Sequence, residues 1–472
     1  MKKFMILFSV LAMIFLVSCS NTSEKRETVD TGDTDPTDTG DSGDTDTSEP
    51  TDPTDPTTEP TDDPTDPTGQ EEGSWEAKYK KADGYAEHVS KDVVKANNDL
   101  GMKLFNALAS EETGKNMMIS PLSISIAMAM VTNGATGESL DEMKEVLGFG
   151  EMELGSVNEQ FMQLIASLVE ADKDLVLEIA NSVWMDDVFA PDVKQDFVDV
   201  LTNFYDAAFF TEDFQDEATV GRINSWVSEK THEKIDKVIN EIGPNTIMYL
   251  INAIYFKAAW TTSFDKDSTY EGTFMLSDGS EGKADYMGFS YDQEEPEFYS
   301  YSADWSDENG YSVVRIPYGR GVFAFYGIVP GYSNKTNIDK FIEEIAENGF
   351  DSYISQLEER SFPVQLPKFK FAYEKSLVDV FKGLGMEKAF VDGALMNIAG
   401  EPHAPFISDI YHKTFIEVNE EGTEAAAVTV VEVGDNAMPS GFYANRPFVF
   451  VIRDDRTGSI LFVGKVENPR AE

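Results

Sequence analysis

Residues 420–433 read EEGTEAAAVTVVEV, and this stretch decides how the rest of the chain is interpreted. Gly422 permits a sharp bend in the backbone. The alanines that follow favour a helix or are tolerated in a strand, whereas the valine and threonine residues after them favour a strand. Composition alone therefore predicts a surface helix followed by an edge strand, and the neighbouring segments have to decide whether that prediction holds.

The chain is strongly acidic, with 86 Asp and Glu residues against 37 Lys and Arg residues in 472 and a formal net charge of -49. Residues 20–74 hold 18 acids and two bases. With Lys2 and Lys3 set aside, 68 acids and 33 bases remain from residue 75 on, a net charge of -35. Nucleic-acid binding is disfavoured, because phosphate contacts need clusters of Lys and Arg. The acidity either attracts a cationic partner or serves solubility alone.

The residue types that most often act in catalysis or bind metals do not occur in any recognisable catalytic or metal-binding motif. Cys19 is the single cysteine, so the chain has no internal disulfide and no Cys-based zinc site after it. The four histidines show no paired His-Glu-x-x-His spacing, and no Gly-rich phosphate loop or Gly-x-Ser-x-Gly elbow is present. We therefore expect no metal, no cofactor and no enzymatic activity, with a hydrolase as the alternative.

The N-terminus has the pattern of an export signal. Lys2 and Lys3 precede an apolar run over residues 4–17, which is shorter than a membrane-spanning helix requires. Residues 16–19, Leu-Val-Ser-Cys, resemble a bacterial lipobox, which implies cleavage before Cys19 and lipidation of its thiol. We expect residues 1–18 to be a lipoprotein signal peptide and the mature protein to be lipid-anchored at the bacterial cell surface, the alternative being an ordinary signal peptide.

Residues 19–74 are of low complexity and repeat Asp, Thr and Pro. Proline removes backbone donors, like charges repel, and almost nothing apolar is present, so this segment cannot bury a core. At about 3.1 Å per extended residue it could reach about 150 Å. We expect a disordered stalk that holds a domain away from the membrane.

From residue 75 to residue 472 the sequence predicts one large α+β domain with mostly antiparallel sheets. Helical spacing or amphipathicity marks residues 100–108, 138–147 and 223–239, and Gly148 is a helix stop after the second of these. Ser120-Pro121 opens a further apolar stretch over residues 122–131. Strand patterns mark residues 175–184, 247–256, 311–316, 322–329, 364–366, 448–452 and 460–463.

Two C-terminal segments resemble the signature of the serpin family: residues 445–450, NRPFVF, and residues 458–469, GSILFVGKVENP. The resemblance continues in family order through residues 116–147, 181–184 (NSVW), 223–227 (INSWV), 231–235 (THEKI), 252–260 (NAIYFKAAW), 367–369 (PKF) and 412–414 (HKT). These motifs span about 380 residues. The resemblance implies a serpin fold, in which helices pack on three largely antiparallel β-sheets and an exposed reactive-centre loop is cut by the target.

The resemblance implies that the protein is a peptidase inhibitor. The target cleaves the loop, is held as an acyl-enzyme, and is trapped when the cut loop inserts into the main sheet. The implied hinge is Glu420, Gly422, Thr423, Glu424, Ala425, Ala426 and Ala427. Thr423, Ala425 and Ala427 are small and spaced by two, so they would face one side of an inserted strand. This resembles the inhibitory pattern; the alternative is a non-inhibitory serpin acting as a surface binding protein.

The resemblance also implies the remaining site residues. Counting from Gly422 and back from Pro447 places the reactive bond at Asn436-Ala437, with Asp435 as the alternative. No Lys or Arg lies near this bond, so trypsin-like targets are not expected; serine endopeptidases are the expected class and cysteine endopeptidases the alternative.

Trp260, Ser120, Ser123, Asn252 and His412 match positions that control the opening of the main sheet. The segment at residues 151–157, where a basic helix binds heparin in some serpins, is acidic here, and we expect a monomer without a heparin site.

Overall fold

The computed structural model describes residues 9–18, 74–289, 297–302, 310–331, 338–423 and 441–471. Ten α-helices occur in these ranges: α1 (Trp75–Ala86), α2 (Lys91–Glu111), α3 (Pro121–Thr132), α4 (Gly137–Val146), α5 (Leu154–Leu168), α6 (Gln195–Tyr205), α7 (Ala218–Lys230), α8 (Ile338–Asn348), α9 (Phe350–Ile354) and α10 (Val378–Gly383). None of the helices in the described ranges is both long and apolar enough to cross a membrane.

Eighteen strands occur in the same ranges. They are β1 (Ser9–Ser18), β2 (Met117–Ile119), β3 (Leu175–Asp186), β4 (Ala208–Glu212), β5 (Thr246–Ala259), β6 (Asp265–Met275), β7 (Glu281–Gly288), β8 (Glu297–Ser302), β9 (Tyr311–Tyr318), β10 (Phe323–Pro330), β11 (Glu358–Ser361), β12 (Val364–Pro367), β13 (Phe369–Ser376), β14 (Phe406–Val418), β15 (Gly422–Thr423), β16 (Phe442–Tyr443), β17 (Phe448–Asp454) and β18 (Ile460–Val466).

The main sheet has the strand order β13-β14-β1-β5-β3-β4, with β15 added at the end of β5. All its pairings are antiparallel except that between β3 and β4. β1 consists of residues that the sequence predicts to be signal peptide, and it lies between β5 and β14. We call this position between β5 and β14 the slot.

Two further sheets complete the described architecture. One has the order β11-β8-β9-β10-β17-β18-β2, and the other has the order β16-β12-β7-β6. The C-terminal signature segments form β17 and β18, which pair with each other between β10 and the edge strand β2 of the seven-stranded second sheet.

The main sheet is covered on both faces, and β5 shows this by strict alternation. Leu250, Ile254 and Phe256 belong to the large core on the inner face. Ile251 and Tyr255 belong to a smaller cluster on the outer face, where α7 packs. A strand in the neighbouring slot therefore meets apolar surroundings on both sides, which favours a continuous apolar sequence.

Local signals explain several helix boundaries. Ser120 caps α3 by accepting a hydrogen bond from the backbone of Ser123, and Pro121 occupies the first helical turn, where a missing N–H costs nothing. α4 ends just before Gly148, whose φ of 76° lies in the left-handed region that glycine adopts without strain. Both boundaries agree with the sequence-based expectation.

The predicted helix over residues 223–239 is wrong in its second half, because α7 ends at Lys230. The hydroxyl of Thr231 donates to the carbonyl of Val227, and the next two residues, His232 and Glu233, adopt left-handed φ angles of 47° and 64°. These angles end the helix. Residues after them stay apolar because they cover the sheet in an irregular conformation, so apolar spacing alone suggested a longer helix.

Candidate functional site

The predicted hinge begins where β14 ends. Asn419 and Gly422 exchange backbone hydrogen bonds, N–O distances 2.9 and 3.2 Å, and so close a tight turn. Gly422 and Thr423 then pair with Ala259 and Ala258 at the end of β5. The first two residues after the turn therefore already lie in the main sheet and point down the slot.

Gly422 is required at this turn by close approach of two backbones. A Cβ atom on Gly422 would lie 2.1 Å from the carbonyl oxygen of Ala258 and 2.9 Å from the Cα of Ala259. Any other residue would push the hinge away from β5. The glycine that the sequence suggested as a bend thus serves tight pairing as well.

A polar and aromatic cluster holds the next residue. Thr423 is 1% exposed, and its Oγ1 is 2.6 Å from the phenol oxygen of Tyr318. The Tyr318 ring stacks on Trp260 with centroids 4.5 Å apart and planes 8° apart. The Trp260 indole donates to the carbonyl of Asn419 at 2.8 Å. The structure thus brings the predicted Trp260 and Thr423 together through Tyr318, for which the sequence carried no motif.

Glu420 is held by hydrogen bonds at the same end of the main sheet. Its side chain is fully buried, and its Oε1 accepts hydrogen bonds from the Thr269 hydroxyl at 2.6 Å and from the Lys368 ammonium at 3.0 Å. Its backbone carbonyl accepts the N–H of Phe264 at 2.9 Å. Sequence reasoning assigned Glu420 to the hinge but missed its partners, although Lys368 belongs to the quoted Pro-Lys-Phe motif.

The other predicted residues, Ser120, Ser123, Asn252 and His412, converge below the centre of the sheet. The Ser123 hydroxyl donates to the Asn252 side chain, and the backbone N–H of Ser120 donates to Nε2 of His412 at 3.2 Å. All four residues are fully buried. They connect α3 to both strands that border the slot.

Hydrogen bonds extend this cluster away from the slot. The Asn252 amide donates to Asn181 of β3 at 2.8 Å, and the Asn181 amide donates to the carbonyl of Tyr205 at the end of α6 at 2.7 Å. Asn181 opens the Asn-Ser-Val-Trp motif, which is the signal by which it could have been found. The chain of contacts fixes β5 to its neighbours on one side of the slot.

His412 is kept neutral by its surroundings. Burial lowers the pKa of its imidazole to about 3. Because Nε2 accepts a hydrogen bond, the ring proton of the neutral form lies on Nδ1. That atom has no partner within the described residues. The cluster therefore holds a buried donor on β14, a strand that borders the slot.

The pairing registers relate β1 to the polar cluster and to the start of the predicted hinge. Met13 of β1 lies opposite Asn252 on β5 and opposite His412 on β14. Thr423 pairs with Ala258, and Ser9 of β1 lies opposite Phe256, two residues further along β5.

Several predicted site residues lie outside the described residues. They are Glu424, Ala425, Ala426 and Ala427 of the hinge, the reactive-bond candidates Asp435, Asn436 and Ala437, and the lipidation site Cys19. Their assignments stay predictions.

One group of carboxylates in the described residues is close enough to consider as a metal site. It consists of Asp186, Asp187 and Asp213. The Asp186 carboxylate accepts the backbone N–H groups of Val188 and Phe214, so it serves two turns at the surface. This arrangement closes turns and lies apart from the hinge.

Comparisons with known proteins agree with this geometry. The family model described as Serpin (serine protease inhibitor) matches residues 95–469. Iripin-2 of Ixodes ricinus is 34% identical over 382 residues, which cover 79% of this chain and 93% of that protein.

Two solved structures are also similar. The thermophilic serpin Tengpin in its native state has 31% identity and a TM-score of 0.68, covering 81% of this chain and 95% of that one. Thyroxine-binding globulin complexed with thyroxine has 25% identity and a TM-score of 0.70, covering 80% and 99%. The predicted α+β architecture is confirmed by these matches.

Proposed function

Because this chain belongs to the serpin family, whose members are in general peptidase inhibitors, we propose that it inhibits endopeptidases of the serine class by trapping them covalently. The target's catalytic serine attacks the carbonyl carbon of Asn436, or of Asp435 in the alternative register. An ester bond forms, the peptide bond breaks, and the released amino group of the following residue takes a proton and leaves. Insertion of the loop before water hydrolyses the ester keeps the target bound.

The observation that carries this proposal is the placement of Gly422 and Thr423. They already pair with the end of β5 and lead into the slot, so insertion continues an existing strand instead of starting a new one. Serpin loop insertion is a known example of strand addition, in which main-chain hydrogen bonds supply much of the stabilisation. The tight approach at Gly422 sets the register for the residues that follow.

The chemistry of the slot supports insertion of residues 425–433. Alternation would direct Ala425, Ala427, Thr429, Val431 and Val433 to the inner face, where the walls of the slot are apolar apart from two adjacent levels. At the first level Thr414 donates its hydroxyl proton to the carbonyl of Met118 at 2.9 Å. The second level carries the side chains of Asn252 and His412, both buried. The single polar residue of the inward set, Thr429, would arrive there, where its hydroxyl could accept the Nδ1 proton of His412.

The position of β1 supports the proposal that the main sheet can hold one more strand between β5 and β14. Ten residues, Ser9–Ser18, pair in antiparallel fashion with β5 on one side and β14 on the other. They read SVLAMIFLVS, a nearly continuous apolar run. An inserted loop would need the same direction and a similar length.

We also propose that the inhibitor acts at the bacterial cell surface. The proposal rests on the signal pattern of residues 1–18, the lipobox-like Cys19 and the acidic stalk over residues 19–74. Mass spectrometry of the membrane-extracted protein should show a lipid-modified Cys19 at the N-terminus. A lipid-free protein with another N-terminus would contradict the anchor and leave the inhibition proposal intact.

The inhibition proposal is tested with a panel of serine and cysteine endopeptidases. We expect a complex that survives denaturing electrophoresis with at least one serine enzyme, together with a released C-terminal fragment. The mass of that fragment decides between cleavage after Asn436 and cleavage after Asp435. Loop cleavage without any complex across the panel would contradict inhibition.

The second candidate is a non-inhibitory serpin that binds a ligand at the cell surface. The observation in its favour is the similarity to thyroxine-binding globulin, whose structure contains thyroxine. The small residues of the predicted hinge argue against it, because rapid insertion has no role in such a protein. Cleavage without complex formation in every reaction would favour this candidate.

A further inference from the structure

The slot of the main sheet is occupied by a segment of the same chain. β1 pairs with both borders of the slot, and every residue from Val10 to Ser18 has one register partner on β5 and another on β14. Both ladders are antiparallel, so the backbone donors and acceptors of this segment alternate between the two neighbouring strands. β1 therefore has the position of an interior strand.

The surroundings of the slot favour an apolar strand. On β14, Ile410 and Ile416 belong to the large core on the inner face, and Tyr411 packs at the margin of the smaller cluster on the outer face. A strand covered on both faces is favoured by a continuous apolar sequence. Residues 9–18 carry no charged residue, whereas residues 423–432, at the start of the predicted loop, include two glutamates.

Polar side chains on the borders of the slot do not require a polar strand between them. The hydroxyl of Thr414 donates to a backbone carbonyl of β2 at 2.9 Å, and the Asn252 amide donates to a side chain on β3 at 2.8 Å. These two residues lie opposite Leu11 and Met13 in the register. Because both side chains have partners outside the slot, an apolar strand at these levels leaves their hydrogen bonds intact.

β1 and the predicted hinge compete for the same length of β5. Thr423 lies opposite Ala258, at the end of that strand. Ser9 of β1 lies opposite Phe256, so only the place opposite Lys257 is left between the two segments. A cut loop could therefore add a single residue to the sheet before it reached β1, and full insertion needs β1 to leave.

The connection from β1 to the rest of the domain is long enough to allow this pairing. Residues 19–74 reach about 150 Å when extended, whereas β5, with 14 residues, is about 46 Å long. A tether of this kind makes binding intramolecular and gives the segment an effective concentration that a free peptide does not have. The strand ends at Ser18, directly before the predicted processing site at Cys19.

We propose that the slot binds the apolar N-terminal segment of the same chain, residues 9–18, and that this binding keeps the inhibitor inactive until the segment is cut off. The inference rests on the proposed inhibitory function and on the predicted signal peptide. A signal peptidase hydrolyses the bond between the carbonyl carbon of Ser18 and the nitrogen of Cys19. Water supplies the hydroxyl of the new carboxyl group and a proton to the new amino group. The released peptide has no tether, and the slot becomes free for the loop.

Export and binding in the slot use the same apolar run, so a single chain cannot do both at once. A chain that is exported presents the run to the export machinery and then loses it. A chain that folds before export keeps β1 in the slot and cannot insert its loop. Peptidases inside the cell are thereby spared, and inhibition begins only after processing.

The first test measures hydrogen exchange in residues 9–18 and does not depend on inhibition. The full chain is made by cell-free synthesis without membranes, so that residues 1–18 stay attached, and the monomer is isolated. We expect the amides of residues 10–18 to exchange at least about 100-fold more slowly than in an unstructured chain. Unprotected amides in this segment would overturn the proposal.

Two variants of the full chain form a matched pair for this measurement. Met13→Asp places a charge in the middle of β1, where both faces of the sheet are covered, and should abolish the protection. Ser20→Asp adds the same charge just beyond the strand and should leave the protection unchanged. Protection that survived Met13→Asp would show that the slot is not its cause and would also overturn the proposal.

The second test compares the full chain with the mature chain, residues 19–472, against one peptidase that the mature chain traps. A tethered segment at an effective concentration of ten times its Kd leaves the slot free in about one molecule of eleven. We therefore expect the full chain to consume at least about ten times more inhibitor molecules per trapped peptidase. Equal consumption by the two chains would refute the inactivation.

The same two variants make the comparison specific. In the full chain, Met13→Asp should trap the peptidase as the mature chain does, and Ser20→Asp should behave as the unmodified full chain. If the mature chain traps no peptidase, the proposed function fails, while the exchange measurement still decides whether the slot binds residues 9–18.

Discussion

Replacing Thr423 by arginine places a charge at the residue on which insertion begins. Thr423 is 1% exposed, and its backbone pairs with β5. Its hydroxyl and that of Tyr318 share one hydrogen bond. An unpaired cation at such a site costs several kcal/mol. We expect the cation to leave the sheet in the uncut protein, so it has to be buried during insertion and the cost falls on the transition state. A cost of about 3 kcal/mol there would slow insertion about 100-fold, because each 1.36 kcal/mol is a factor of ten.

Slower insertion changes the outcome of each encounter with the target. The acyl-enzyme then hydrolyses before the loop is inserted, and the Thr423→Arg protein becomes a cleaved substrate. The assay counts inhibitor molecules consumed per peptidase trapped and follows the covalent complex by denaturing electrophoresis. We expect the consumption to rise at least tenfold and the complex band to weaken to the same degree.

Two matched variants separate burial from general damage. Thr423→Ser keeps the hydroxyl and should trap the peptidase as the wild type does. Glu424→Arg introduces the same cation at the next residue, which alternation would direct to the outer face, and should have a much smaller effect. Stable complexes of Thr423→Arg at wild-type stoichiometry would refute the assignment of the hinge.

Three further predictions concern stability, each measured by urea unfolding. Asn252→Ala leaves the Ser123 hydroxyl without its buried partner and should cost about 1–3 kcal/mol. Lys368→Met leaves the buried Glu420 carboxylate uncompensated and should cost about 3–5 kcal/mol, most of which Glu420→Gln should restore in the double variant; an unchanged loss in the double variant would contradict this. Burial lowers the pKa of His412 to about 3, so below about pH 6.5 the unfolded chain binds a proton that the folded chain does not. Stability is therefore full above that pH and falls by about 1.4 kcal/mol per pH unit below it; His412→Phe should remove this slope, and an unchanged slope would show that His412 does not cause it.

The sequence predicted elements well where the signal is local. Ser120-Pro121 opens the apolar stretch that forms α3, and α4 ends close to the predicted stop at Gly148. The apolar run over residues 247–256 predicted β5, the strand that borders the slot. These features depend on neighbours within one turn or one strand, so the fold around them does not alter them.

The sequence failed where apolar spacing has two structural explanations. Ile235, Val238 and Ile239 have the spacing of a helix face, yet they cover the sheet from an irregular segment after α7. What decides between the two is the pair of left-handed residues before them, and no propensity predicts that His232 and Glu233 adopt this conformation. The irregular course of residues 231–239 was therefore not predictable before the backbone conformation was known.

The amino-acid sequence by itself determined the family, and it predicted the hinge and the sheet-opening residues, because short motifs that keep their order along the chain mark all three. Tertiary structure alone decided what these residues do to one another. Tyr318 contacts Thr423, Lys368 contacts Glu420, and Lys413 contacts the carbonyl of Lys237, each across a long separation in sequence. The physical reason is that burial, hydrogen bonding and charge depend on what packs beside a residue, and packing joins segments whose spacing in the chain carries no signal.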